Sequence, residues 1–177
     1  MKSSLLLLGL CLNCVALDAA RLRCELEPGH FIWGTCFAVS EDMLLTACHT
    51  LTNANSVLVE TEHGWEEASI EDADLKNDIA LLKLKRHGLR PLVLADHKVT
   101  LIASNLGQRV EQLAGSVQRL IVEVRCAGGC SGAPVVVDGK VVGMAVACVG
   151  LPDKDGYHEF CSCVPARDLL KFWEKHR

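Results

Sequence analysis

Three short segments of this 177-residue chain hold residue types that could do chemistry together if the fold brings them to one place. The first is Gly34–Leu51 (GTCFAVSEDMLLTACHTL), in which His49 directly follows an apolar, strand-like run. The second is Asn77–Leu84 (NDIALLKL), in which Asp78 stands at the mouth of an apolar strand. A carboxylate there can be a plain turn residue, or it can be the buried partner of a histidine. The third is Ala127–Pro134 (AGGCSGAP), a Gly-rich turn ahead of a Val-Val-Val strand, with Ser131 just before Gly132. Glycines on both sides of Ser131 allow unusual dihedrals and close approach to a ligand. The backbone N–H groups of such a turn can converge on a developing oxyanion. A serine hydroxyl attacks an amide only when a base takes its proton. Taken singly, each segment also has an ordinary reading: a structural histidine, a turn carboxylate, a Gly-rich loop.

The order His, Asp, then Ser in a Gly-rich turn is that of the trypsin/chymotrypsin-like serine proteases. The local words are similar as well. TACHT resembles that family's Thr-Ala-x-His, NDIALLKL its Asp-Ile-Ala-Leu-Leu, and GGCSGAPV its Gly-x-Ser-Gly-Gly-Pro. The strand VVGMAVA resembles the strand that flanks substrate in the family. The resemblance runs from about Gly34 to Val164 and looks closest to the compact HtrA-like and viral-type branch, here without a PDZ-like module. It implies that Ser131 is the nucleophile, His49 the general base and acid, and Asp78 the group that holds the histidine tautomer. It also implies an oxyanion hole from the N–H groups of Gly129 and Ser131, and substrate pairing along Ala145, Val146, Ala147 and Cys148. Arg125, six residues before Ser131, stands where related enzymes often place the base of the primary pocket. A cation there would favour an acidic substrate side chain, although a solvated strand end is the plainer reading. No metal or organic cofactor is required by this chemistry.

The chain departs from the family pattern at two positions beside the nucleophile. Cys130 occupies the place of the Asp that receives a new N-terminus in the digestive and clotting enzymes, so activation of that kind is not expected. Ala133 replaces the second glycine after the serine, so this position must keep φ below zero. Cys130 as the nucleophile fits less well, because Ser131, not Cys130, is followed by glycine; a disulfide role suits Cys130 better.

The elements that must position these residues read as short β-strands. Apolar, β-branched runs at Ser56–Glu60, Val117–Val124, Ala133–Val137 and Lys140–Cys148 are separated by turn signals, and Asp138-Gly139 between two Val-rich runs marks a hairpin. The pattern permits an all-β barrel or sandwich. The resemblance narrows this to two six-stranded antiparallel β-barrels with a C-terminal helix. One domain over residues 21–177 would then comprise a first barrel over about 24–98 and a second over about 99–164. Pro165–His176 (PARDLLKFWEKH) reads as the helix, with Leu169, Leu170, Phe172 and Trp173 on its apolar face.

Composition excludes several other classes. The chain is 50% hydrophobic and 23% charged with a net charge of −4, which suits neither a disordered chain nor a nucleic-acid binder. Residues 1–16 read as a secretory signal peptide, with cleavage after Ala16 or as late as Ala20, and no membrane anchor is expected afterwards. Eight cysteines would remain, which suggests disulfides in a secreted, extracellular protein. A hairpin with its tip at Glu41–Met43 sets Ser40 opposite Leu44 and Cys36 opposite Cys48, so a Cys36–Cys48 disulfide is expected. The other six cysteines allow 15 pairings; a zinc site at Cys161, Cys163 and a third cysteine is the alternative use. The reading is therefore a secreted serine endopeptidase acting on a protein or peptide, with no oligomeric state implied. The alternative from another class is a catalytically inactive, protease-like binding or decoy protein.

Overall fold

The computed structural model describes residues 6–7, 19–95, 109–113, 117–123, 128–153 and 156–177. Their strands are β1 (Leu6–Leu7), β2 (Ala19–Glu27), β3 (His30–Ala38), β4 (Met43–Thr46), β5 (Ser56–Thr61), β6 (Gly64–Glu67) and β7 (Ser69–Asp74). Then follow β8 (Ile79–Lys83), β9 (Arg109–Leu113), β10 (Val117–Glu123), β11 (Pro134–Val137), β12 (Lys140–Asp153) and β13 (Gly156–Pro165). Helix α1 (Ala166–Trp173) closes the chain. Two antiparallel sheets result, in the orders β6-β5-β2-β3-β4-β8-β7 and β1-β11-β12-β13-β10-β9.

This is the mostly-β, two-sheet architecture with a C-terminal helix that the sequence led us to expect. It differs in one detail: the first sheet has seven strands among the described residues, not six. The added strand is β7, SIEDAD, whose charges conceal it in the sequence. It lies at the sheet edge and pairs only with β8, so charged side chains there meet water and discourage pairing with other chains.

Side-chain alternation explains why the strands carrying the site read as continuous apolar runs. Successive residues of a strand point to opposite faces. In β3, β4 and β8, one set (Cys36, Ala38, Leu44, Ala80, Leu82) enters the core of the first sheet. The other set (Phe37, Leu45, Ile79, Leu81) enters a second core shared with Val141, Met144, Val146 and Val164 of the second sheet and with Leu169, Phe172 and Trp173 of α1. The second half of β3, from Gly34, and nearly all of β4 and β8 are thus buried on both faces. A third core, with Val122, Ala133, Val135, Ala145, Cys161 and Cys163, fills the second sheet. Fully burying one Leu, Ile or Phe contributes about 1.5–3 kcal/mol, so the shared core fixes the two sheets against each other. Helix α1 begins one residue after the expected Pro165, which ends β13 in extended conformation.

The β11–β12 hairpin turns at Asp138-Gly139 as expected, with φ of 49° and 75°, the left-handed pair that a two-residue type I′ turn requires. The β3–β4 hairpin corrects an expectation. Cys36 faces Thr46, not Cys48, and Ala38 faces Leu44. Its loop is closed by the N–H groups of Val39 and Ser40 on the Met43 carbonyl, which moves the register by two residues from the expected one. Cys48 lies beyond the strand, in a 3-10 turn over Cys48–Leu51. Cys36 and Cys48 are therefore free, buried thiols. Alkylation of the unfolded protein without reductant should label both; mass spectrometry that finds Cys36 and Cys48 unlabelled and joined would contradict this register.

Candidate active site

Each of the three chemistry-bearing residues stands at the end of a strand that the shared core holds. His49 follows β4 in the 3-10 turn, where the Thr50 hydroxyl donates to the Ala47 carbonyl at 2.7 Å. Asp78 ends a turn ahead of β8. In that turn the Asp74 carboxylate accepts from the Asn77 backbone N–H at 3.0 Å and from its side-chain amide at 2.7 Å. Asp78 has φ of +62°, a left-handed conformation uncommon for a non-glycine residue and frequent at functional sites. Ser131 lies in the turn before β11, and its carbonyl accepts from the Thr35 N–H of β3 at 2.8 Å.

The fold brings the three side chains together. Asp78 Oδ2 lies 2.8 Å from His49 Nδ1, and Asp78 Oδ1 accepts from the His49 backbone N–H, also at 2.8 Å. His49 Nε2 lies 2.9 Å from Ser131 Oγ. An ionised carboxylate only accepts, so Nδ1 carries the proton and neutral Nε2 is left to accept from the serine hydroxyl. Asp78 is largely buried, whereas His49 is 45% exposed and open to a reacting group.

The hydrogen bond that His49 donates to Asp78 raises the His49 pKa above the ordinary histidine value; burial opposes this and the Asp78 charge adds to it. A base works only when neutral, so activity should fall on acidification at a higher pH than an isolated histidine would dictate. Stability runs the other way: the pair's contribution is complete below the unfolded-state histidine pKa and is lost as pH rises through the raised folded value. Asp78→Asn removes the charge. It should move the acid limb of the kcat/KM profile to lower pH and cut the plateau by about 10⁴-fold. An acid limb that stays in place in this variant would contradict the assignment.

The serine turn is built on glycine. Gly129 has φ of +94° and Gly132 has φ of +87°. A Cβ on Gly132 would lie 2.0 Å from the Thr35 carbonyl oxygen and 2.5 Å from the Thr46 hydroxyl. Ala133, by contrast, is not among the positive-φ residues. Its N–H donates to the Cys130 carbonyl at 2.9 Å, and its methyl is buried in the third core, so alanine meets the requirement set by the sequence at this position. Cys130 carries a thiol and is not a disulfide partner, which corrects the expected disulfide role.

The family described as the trypsin-like peptidase domain matches residues 34–144, a span that includes His49, Asp78 and Ser131. The chain belongs to the trypsin-like peptidase family. Serine protease HTRA1 of Xenopus laevis is 44% identical over 63 residues, which are 34% of this chain and 14% of that protein. Serine protease HTRA4 of Mus musculus is 40% identical over 63 residues, 34% of this chain and 13% of that protein. The matches thus span a small fraction of those relatives' length. Among solved structures, the active form of the Rv3671c protease of M. tuberculosis is similar in fold, with a TM-score of 0.66 and 18% identity over 87% of this chain and 79% of that one. The HtrA-type protease AlgW with tripeptide has a TM-score of 0.61 and 18% identity over 90% of this chain and 60% of that one.

Within this trypsin-like peptidase, the four residues expected to border substrate divide at a bulge in β12 between Ala145 and Ala147. Ala145 is buried, its carbonyl accepts from the Gly132 N–H at 2.7 Å and its N–H donates to Ala133. Its backbone already serves the serine turn, which corrects its expected place on the substrate-facing edge. Val146 is buried as well, and only Ala147 and Cys148 are exposed. Cys148 is disulfide-bonded. Opposite it in register is Cys161, whose thiol lies 3.6 Å from that of Cys163. Both are buried thiols outside any disulfide, and among the described residues no group of three or more His, Cys, Asp and Glu is placed to hold a metal ion. The Cys163 thiol lowers the Cys161 pKa by donating to its sulfur. Arg125 lies outside the described residues.

Sequence reasoning missed the threonines that tie the site together. Thr46, two residues before Cys48, donates through its hydroxyl to the Thr35 carbonyl at 2.8 Å, and both residues are buried. The available signal was a polar residue inside an otherwise apolar strand end, three residues before His49.

Proposed function

We propose that the chain is a secreted serine endopeptidase that cleaves peptide bonds through an acyl-enzyme formed on Ser131. The observation that carries this reading is His49, hydrogen-bonded at 2.8 Å to Asp78 on one ring nitrogen and at 2.9 Å to Ser131 on the other. Ser131 Oγ attacks the scissile carbonyl carbon as His49 Nε2 takes its proton. Asp78 stabilises the imidazolium that forms. The N–H groups of Gly129 and Ser131 receive the oxyanion, each donor being worth about 3–4 kcal/mol in the transition state. His49 then delivers the proton to the leaving amine, and the C–N bond breaks. Water, deprotonated by the same histidine, hydrolyses the ester and restores Ser131. The substrate's extended backbone lies along β12 beyond the bulge, at Ala147 and Cys148.

Secretion follows from the N-terminal signal. Removal of residues 1–16 leaves β2 whole, since β2 starts at Ala19. Cleavage after Ala20 would instead remove the residues that pair with Phe37 and Cys36. Either cleavage frees the β11 edge, where Leu6 and Leu7 pair with Val136 and Val135. The expected N-terminus of the secreted protein is therefore Leu17, read by sequencing from a secreting host.

The activity is tested by incubating the secreted, oxidised protein with a denatured, alkylated protein and mapping new peptide termini by mass spectrometry. Termini that appear with the unmutated protein and vanish with Ser131→Ala support the reading. Intact substrate, or termini that persist with Ser131→Ala, would overturn it.

A further inference from the structure

We propose that Thr35 is a positioning residue that sets the aim of the two oxyanion donors, an inference that rests on the reading of Ser131 as the nucleophile. The Cys130 carbonyl accepts from the Ala133 N–H, the Gly132 N–H donates to the Ala145 carbonyl, and the Ser131 carbonyl accepts from the Thr35 N–H. Among the described residues, neither the Gly129 nor the Ser131 N–H donates to a backbone carbonyl. These two amides flank the Gly129–Cys130 peptide and are the ones that the proposed mechanism assigns to the oxyanion.

Between the two donors stands the Gly129–Cys130 peptide, and its carbonyl accepts from the Thr35 hydroxyl at 2.8 Å. Packing does little to hold this stretch. A Cβ placed on Gly128 or Gly129 would meet nothing within 4 Å, and Gly129 has the widest conformational choice of any residue type. The hydroxyl of Thr35 thus fixes a peptide plane that sterics leave loose, and with it the spacing and relative direction of the flanking N–H groups. Thr35 can do this because it is itself held. It is 4% exposed, its N–H grips Ser131, and its carbonyl accepts from Thr46. One residue of the first sheet therefore grips both Gly129 and Ser131 of the turn in the second. Preorganised donors contribute most when aimed at the charge that develops in the transition state, so the effect belongs to kcat and not to substrate binding.

The test compares Thr35→Val, which keeps the shape and removes the hydroxyl, with Thr35→Ser, which keeps the hydroxyl. Peptide hydrolysis, affinity for a peptide boronate that forms a tetrahedral adduct on Ser131, and thermal unfolding are measured together. Losing a whole oxyanion donor costs about 10²–10³-fold in kcat, so loosening one should cost roughly 10- to 100-fold. Thr35→Val should show that loss in kcat with KM near the unmutated value, and boronate affinity should fall in proportion. Thr35→Ser should recover most of both. Thr35→Ala, which adds no bulk, is read in the same way if the valine variant does not fold. The proposal is overturned by a folded hydroxyl-free variant with unchanged kcat and boronate affinity, or by a loss that Thr35→Ser fails to repair. A failure of the serine-peptidase reading looks different, because the unmutated protein would then neither hydrolyse peptide nor bind boronate.

Discussion

Ser131→Ala should lower kcat by roughly 10⁴- to 10⁶-fold, with little change in KM or thermal stability. The size follows from the linkage of the three groups. His49 Nε2 lies 2.9 Å from Ser131 Oγ and its Nδ1 is held at 2.8 Å by Asp78, so the histidine has no proton to take once the hydroxyl is gone. Groups that act as a unit are not additive. His49→Ala should therefore cost about as much as Ser131→Ala, and the double variant little more than either. Residual turnover would come from the Gly129 and Ser131 N–H groups, which the alanine variant keeps. Single-turnover kinetics on a peptide ester would measure this. A Ser131→Ala variant within tenfold of the unmutated rate would show that another group carries the chemistry.

Gly132→Ala should damage fold and activity together. The added Cβ would sit 2.0 Å from the Thr35 carbonyl oxygen and 3.1 Å from the Ala47 N–H nitrogen, both backbone atoms that no rotamer change can move aside. The residue also has φ of +87°, which an L side chain adopts at a cost. Strain and overpacking each cost about 1–3 kcal/mol, a large part of a typical total stability of about 5–15 kcal/mol. We expect a fall in Tm of roughly 5–15 °C for a chain of this size and loss of hydrolysis, because the clash pushes the serine turn away from β3. Gly139→Ala is the matched control. It has φ of +75° but nothing within 4 Å of the added Cβ, so it should show strain alone and keep activity. Calorimetry that finds the two variants equally stable would contradict the packing account.

The difference between what could and could not be read from the sequence is physical. His49, Asp78 and Ser131 were legible because each is carried by a short local word, and because the strands behind them, buried on both faces, read as unbroken apolar runs. The Asp138-Gly139 hairpin was legible because a two-residue turn needs positive φ at both positions, and few residues adopt it. The β3–β4 register was not. Its loop offers several closures that differ by two residues, and only the bonds from Val39 and Ser40 to the Met43 carbonyl decide between them. That choice placed Thr46, not Cys48, opposite Cys36. Strand β7 escaped because an edge strand in water needs no apolar pattern. The roles of Thr35 and Ala145 escaped because they arise from hydrogen bonds to the serine turn from segments roughly 10 and 100 residues away in sequence, which no local pattern encodes.

The most direct test of an activated serine is labelling by a fluorescent fluorophosphonate. The secreted, oxidised protein is compared with Ser131→Ala and His49→Ala, and the labelled peptide is identified by mass spectrometry. The account predicts label on Ser131 in the unmutated protein, none in Ser131→Ala, and little in His49→Ala. Absence of label from well-folded, unmutated protein, or label on Cys130 in place of Ser131, would contradict it.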